Sequence, residues 1–144
     1  MKSIQYLFVL LCCLLTTNAI AQESRSERAT YTNAEQMPEF PGCELITDAT
    51  ARKSCAYKAM IKHVGDHLNY PADAKSKKLE GTVVVQFVVD KEGKVTKSLV
   101  TKGFDKACEA EALRVVNEMP VWKPGVENGE RVAVQMTLPI RFSL

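Results

Sequence analysis

The chain has 144 residues, 25% of them charged, with 19 Lys and Arg against 17 Asp and Glu and a formal net charge of +2. That length suits one domain around a single core. The near balance of charge, with no basic stripe interleaved with aromatics, argues against nucleic acid as a partner, and the densest positive cluster, Lys75-Ser76-Lys77-Lys78, reads as a solvated helix face.

Residues 1–21 read as an export signal. Met1-Lys2 supplies a short positive end, Tyr6 to Leu15 is an apolar run, and Ala19-Ile20-Ala21 puts small residues at −3 and −1 of a signal-peptidase site before Gln22. The alternative is an uncleaved anchor from Ile4 to Ala21, which crosses a bilayer only if the bilayer thins. Cys12 and Cys13 lie inside the apolar run behind Leu11, where a lipidated cysteine would follow a small residue. Residues 22–36 are mostly Ser, Arg, Glu, Thr and Asn, with almost nothing to bury, and read as a flexible linker. Order is expected to begin at residue 37, in Met37-Pro38-Glu39-Phe40-Pro41-Gly42-Cys43, where two prolines fix the backbone and Phe40 can dock.

Cys43, Cys55 and Cys108 follow the signal. Export permits disulfides, and Cys43 with Cys55 flanks a polar stretch whose closure contributes on the order of 3 kcal/mol in the chain-entropy model. Cys108 falls at helical spacing with Ala112, Val115 and Met119, so it is expected to be a buried, unreactive thiol.

Ser54 is the expected N-cap of a helix running to about Leu68, with Ala56, Tyr57, Met60, Ile61, Val64 and Leu68 as its apolar stripe. Asn69-Tyr70-Pro71 breaks it, because the residue before a proline leaves the helical region. Pro71 then opens a short second helix to Leu79, with Gly81 placed to end it. Thr82 to Asp90 alternates Val83, Val85, Phe87 and Val89 on one side, with Val84 and Val88 on the other. A strand apolar on both faces belongs in mid-sheet. Asp90-Lys91-Glu92-Gly93 predicts a hairpin turn into Lys94 to Thr101. Asp105 can cap a helix from Lys106 to Met119, which Pro120 stops. The last strand, Arg131 to about Phe142, alternates Val132, Val134, Met136 and Leu138, and Pro139 inside it marks an edge.

A right-handed crossover through the last helix places the final strand beside the first. The expected fold is α+β: a three-stranded antiparallel/mixed sheet, ordered second–first–last, with two helices packed on one face and two open edges.

Several pieces in this order resemble the TonB C-terminal domain family. They are Met37-Pro38-Glu39-Phe40-Pro41-Gly42, Tyr70-Pro71 with Ala74, Gly81 to Asp90 with Gly93, Glu111-Ala112-Leu113-Arg114, Met119-Pro120 with Trp122-Lys123-Pro124-Gly125, and Leu138-Pro139-Ile140 with Phe142. The resemblance runs from residue 37 to 144. It implies a periplasmic domain with a tendency to dimerise, whose role is to hold the TonB box, a short peptide of outer-membrane transporters. An exposed strand edge can take such a peptide by β-augmentation. Here the expected edge is Arg131 to Leu138, with Arg131, Val132, Val134 and Met136 as contacts. The resemblance adds Asn69, the residue before Tyr-Pro, with Tyr70 beside it. Full energy transducers of the family carry a membrane anchor that meets ExbB–ExbD-type partners and a long proline-rich spacer. This chain has six prolines, all after Met37, and a linker reaching roughly 50 Å. ExbB–ExbD contact is therefore expected only if the N-terminal segment is retained, as an inner-membrane anchor. The alternative function is an adaptor or self-associating domain, touching cell wall or a signalling protein, with no transport role.

His63 and His67 stand four residues apart on a helix, a metal-site spacing that lacks a third ligand nearby. No phosphate loop, nucleophile elbow or dinucleotide fingerprint occurs. Trp122 is expected in the core. A binding module without cofactor or metal is expected, rather than an enzyme.

Overall fold

The computed structural model describes residues 30–144; the expected export signal and the start of the linker lie outside the described residues. In chain order the elements are β1 (Thr30–Tyr31), α1 (Ala49–His67), α2 (Ala72–Ser76), β2 (Gly81–Val89), β3 (Val95–Lys102), α3 (Lys106–Asn117), β4 (Gly125–Glu127) and β5 (Glu130–Phe142).

β2 is the centre of the sheet, as its two-sided apolar sequence requires. The strand order is β1-β5-β2-β3, with β4 paired to β5. β2 runs antiparallel to both neighbours. Its register with β5 is unbroken from Gly81↔Phe142 to Val89↔Val134, whereas its pairing with β3 is interrupted by irregularities between Val84 and Val85 and between Gln86 and Val88. Lys97, in the second of these, has φ 50°, the left-handed geometry that lets one strand carry an extra residue. β3 and β5 are thus parallel to each other, joined by the crossover through α3.

The sheet has five strands rather than the three expected. β4 exists because Asn128 and Gly129 both take positive φ, at 51° and 76°. They close a two-residue hairpin between Glu127 and Glu130. β1 comes from residues expected in the linker: Thr30 and Tyr31 pair in parallel with Ala133 and Val134.

α1 starts a turn and a half before the expected Ser54. Asp48 caps it, Oδ1 accepting the Ala51 N–H at 2.7 Å, and Ala49 to Lys53 contains nothing that opposes a helix. Its buried residues are Ala56, Met60 and Val64. Tyr57 and Ile61, expected in the same stripe, are instead 60% and 42% exposed. α2 ends sooner than expected, and not at Gly81. Lys78 takes the left-handed position (φ 54°), and the Leu79 N–H reaches back to the Ala74 carbonyl at 2.9 Å. Gly81 opens β2, and a Cβ there would collide with the Phe104 ring.

Both longer helices cover one face. Val83, Val85, Phe87 and Val89 of β2 and Leu138, Ile140 and Phe142 of β5 pack with Cys108, Ala112, Val115 and Val116 of α3 and with Ala56, Met60 and Val64 of α1. Phe40 docks as expected, its ring 5.3 Å from that of Trp122 and nearly perpendicular to it. Residues 36–39 are tied down by two bridges, Gln36↔Val126 and Glu39↔Lys123. Cys43 and Cys55 form the expected disulfide, fastening this lead-in segment to α1.

Candidate functional site: the outer edge of the last strand

β5 is thirteen residues long, and its outer side is occupied only in part. Glu130, Arg131 and Val132 pair with β4, and Ala133 and Val134 with β1. From Gln135 to Phe142 the side away from β2 has no strand partner among the described residues. Pro139 faces Val84 of β2 within the unbroken register. Lacking an N–H, a proline fits where its nitrogen points away from the paired strand. Strand alternation then turns the N–H groups of Gln135, Thr137 and Arg141 outward as well. The edge therefore offers three donors, with the carbonyls between them, to an added chain.

The expected contact residues divide along this strand. Arg131 is exposed, but its backbone is paired with Val126; Val132 is buried opposite Gly125. Val134 is fully buried between Val89 and Tyr31. Only Met136, half-buried opposite Phe87, belongs to the open part. Asn69 and Tyr70 lie at the far end, where the Tyr70 ring meets Phe142 edge-on at 5.6 Å. From Val132 to Phe142 is roughly 33 Å of strand, so the six residues share an edge without forming one compact site. Gln135, Thr137 and Arg141 were not picked out from sequence. Their signal was the position of Pro139, which fixes the outward parity.

The Tyr-Pro corner is held by polar contacts. The Tyr70 hydroxyl donates to the Leu79 carbonyl, and burial pushes its pKa up. The Asn69 N–H donates to Glu111 Oε1 at 2.7 Å. Arg114 donates to both Glu111 oxygens, at 2.9 and 2.7 Å, and to the His67 carbonyl at 2.7 Å. The Arg114 guanidinium holds the Glu111 carboxyl below the usual carboxylate range. The Glu111-Ala112-Leu113-Arg114 motif thus fastens the end of α1 to α3.

Beside the open edge lie two half-open apolar hollows. One, of about 190 Å³, lies at Met136 and is walled by Met37, Phe40, Tyr57, Met60 and Trp122. The other, of about 260 Å³, lies at Leu138 to Arg141 under Ile61, Val64, Gly65 and Leu68. Trp122 is 4% exposed, and its indole N–H has no acceptor among the described residues. The Phe40 and Phe87 rings pack against it at 5.3 and 5.9 Å.

The remaining reactive groups are arranged otherwise. His63 and His67 stack at 4.1 Å, with His67 Nδ1 2.7 Å from the His63 carbonyl oxygen. Burial, then the neighbouring His67, lowers the His63 pKa. Cys108 is fully buried, and burial pushes its pKa up to about 11, so it carries little thiolate at neutral pH. Among the described residues no group of three His, Cys, Asp or Glu could hold a metal ion, and no helix is long and apolar enough to cross a membrane.

A mixed sheet covered by helices on one face, with unpaired backbone along β3 and along part of β5, defines an α+β domain. The sequence model for the Gram-negative bacterial TonB protein C-terminal domain matches residues 66–144, over half of the chain, and the protein belongs to that family. The chain is also similar to the solution structure of the Helicobacter pylori TonB C-terminal domain, at 24% identity and a TM-score of 0.48, over 61% of this chain and 79% of that one. It is similar to the Pseudomonas aeruginosa TonB C-terminal domain at 25% identity and a TM-score of 0.44, over 53% and 77% of the two chains. Among curated proteins none matches the chain.

Proposed function

We propose that this protein is a periplasmic binding module, not an enzyme, that holds a TonB-box type segment of outer-membrane transporters by strand addition and so supports TonB-dependent transport. The observation that carries the reading is the unpaired outer side of β5 from Gln135 to Phe142 in a chain of the TonB C-terminal family. Backbone groups on such an edge are satisfied by an extended peptide with little demand on its sequence. In this reading Asn69, Tyr70 and Met136 flank the added strand, whereas Arg131, Val132 and Val134 hold the edge in place through β4 and β1. Residues 1–21 act as the export signal and the domain proper begins near residue 37. If the signal is instead kept as an inner-membrane anchor, ExbB–ExbD-type partners come within reach.

The test is titration with peptides taken from the plug domains of outer-membrane transporters, followed by amide hydrogen exchange. Binding with new protection at Gln135, Thr137 and Arg141 supports the reading. Absence of binding at about 100 μM peptide, roughly −5 kcal/mol, sinks it. Self-association that protects the same amides without peptide would favour an adaptor or homodimeric role instead.

A further inference from the structure

The chain has two histidines, and both stand together in the last turns of α1. Their rings stack with centroids 4.1 Å apart, 26° from parallel. His63 is half-buried and His67 exposed, so solvent reaches the pair. Each ring is held in place. Phe40 of the lead-in segment packs on His63 at 5.5 Å. His67 Nδ1 lies 2.7 Å from the His63 carbonyl oxygen. A carbonyl only accepts, so Nδ1 carries the proton of the neutral ring and the Nε2 lone pair is left free.

Metal-binding histidines are fixed in tautomer and ring orientation by the hydrogen bond that their other nitrogen donates, commonly to a backbone carbonyl. His67 is fixed in that way. Residues four apart lie on one side of a helix, and two nitrogens bound side by side to one ion at about 2.0 Å stand roughly 2.8 Å apart. Stacked rings reach that spacing by tilting their outer ends together. The Asp66 carboxylate interacts with both imidazoles and adds negative charge beside them. Its ion pair with Lys62 is on the surface and competes little for that charge. A histidine in the last turn also complements the helix dipole, but that role needs no second ring stacked on it.

We infer that His63 and His67 form an open chelate for a divalent transition-metal ion that favours imidazole, copper(II) ahead of zinc(II). Structural and catalytic zinc sites take three or four protein ligands, and no such set exists among the described residues. Copper(II) accepts a tetragonal set of mixed nitrogen and oxygen ligands, so two imidazoles and water complete it, and a given nitrogen site binds it more tightly than zinc. Magnesium and calcium take oxygen ligands and do not suit the pair. A bound ion ties the last turn of α1 where it meets Phe40 and where the His67 carbonyl accepts from Arg114. Nothing in the site depends on what the strand edge holds.

The experiment titrates the protein with copper(II) at about pH 7.5, where histidine is mostly neutral, in a non-coordinating buffer. Trp122, the single tryptophan, is the reporter. The Phe40 ring lies 5.3 Å from it and 5.5 Å from His63, close enough for a copper ion at the pair to quench its fluorescence. Expected are saturable quenching by a single ion, a copper EPR spectrum with two nitrogen ligands, and displacement by zinc(II) only in excess. His63→Gln and His67→Gln should each weaken binding about tenfold or more, and Asp66→Asn about threefold. Circular dichroism of each variant without metal checks its fold, and the nitrogen count in the unaltered protein stands without the variants. Quenching that does not saturate, a spectrum lacking two nitrogen ligands, or unchanged affinity in either folded glutamine variant overturns the site.

Discussion

Replacing both Cys43 and Cys55 with Ala tests how the lead-in segment is held. The two residues are twelve apart in sequence, and closing a loop of about 13 residues removes roughly 3 kcal/mol of unfolded-state entropy. A domain of this size loses about 4 °C of melting temperature per kcal/mol, which gives a fall of about 12 °C. The native segment should nevertheless stay docked. Residues 36–39 keep four backbone hydrogen bonds to Lys123 and Val126, between 2.9 and 3.1 Å, and Phe40 stays buried against Trp122. The assay is thermal unfolding followed by the fluorescence of Trp122, the single tryptophan. Expected are a lower midpoint and an unchanged native spectrum. A red-shifted native spectrum would show that the disulfide, not the packing, holds Phe40 in place. A midpoint shift under about 3 °C would refute the entropic argument itself.

The remaining predictions concern the edge, acid and the thiol. Thr137→Pro should remove an outward N–H, costing under about 1 kcal/mol of stability while weakening an added peptide about tenfold. Val134→Pro should destabilise by about 3 kcal/mol or more, since that residue is paired on both sides; chemical denaturation separates the two. The depressed Glu111 pKa stabilises the fold above the unfolded glutamate value of about 4.3, and that contribution is lost as pH falls through the lower folded value. Glu111→Gln should therefore lower stability at neutral pH and flatten its decline below about pH 4, read from urea midpoints across pH. Cys108 should resist thiol reagents in the native protein and be the one cysteine labelled after the described domain is denatured without reductant; labelling of Cys43 or Cys55 would contradict the disulfide.

The order of elements was readable in the sequence because each long element carries its own period. Val83, Val85, Phe87 and Val89 alternate as a strand buried on the helix side must, and Cys108, Ala112 and Val115 recur as a buried helix stripe must. Asp105 caps α3 as its position suggests, accepting the Cys108 N–H at 3.0 Å. The pairing of Cys43 with Cys55 and the central place of β2 followed from the same local reasoning. Asn128-Gly129 is a legible hairpin signal as well.

The state of the edge was not legible. Two residues of β1 carry no period at all, and only the fold brings Thr30 beside Ala133. Tyr57 and Ile61 lie within the helical repeat of α1, yet a repeat of 100° per residue does not say which border of a stripe is covered. That depends on where α1 comes to rest over β5. Sequence alone therefore determined a helix-covered sheet with its last strand at an edge, because local spacing encodes element and face. Only the tertiary structure decided which part of that edge stays open and what wall stands beside it, because those are set by contacts between residues a hundred positions apart.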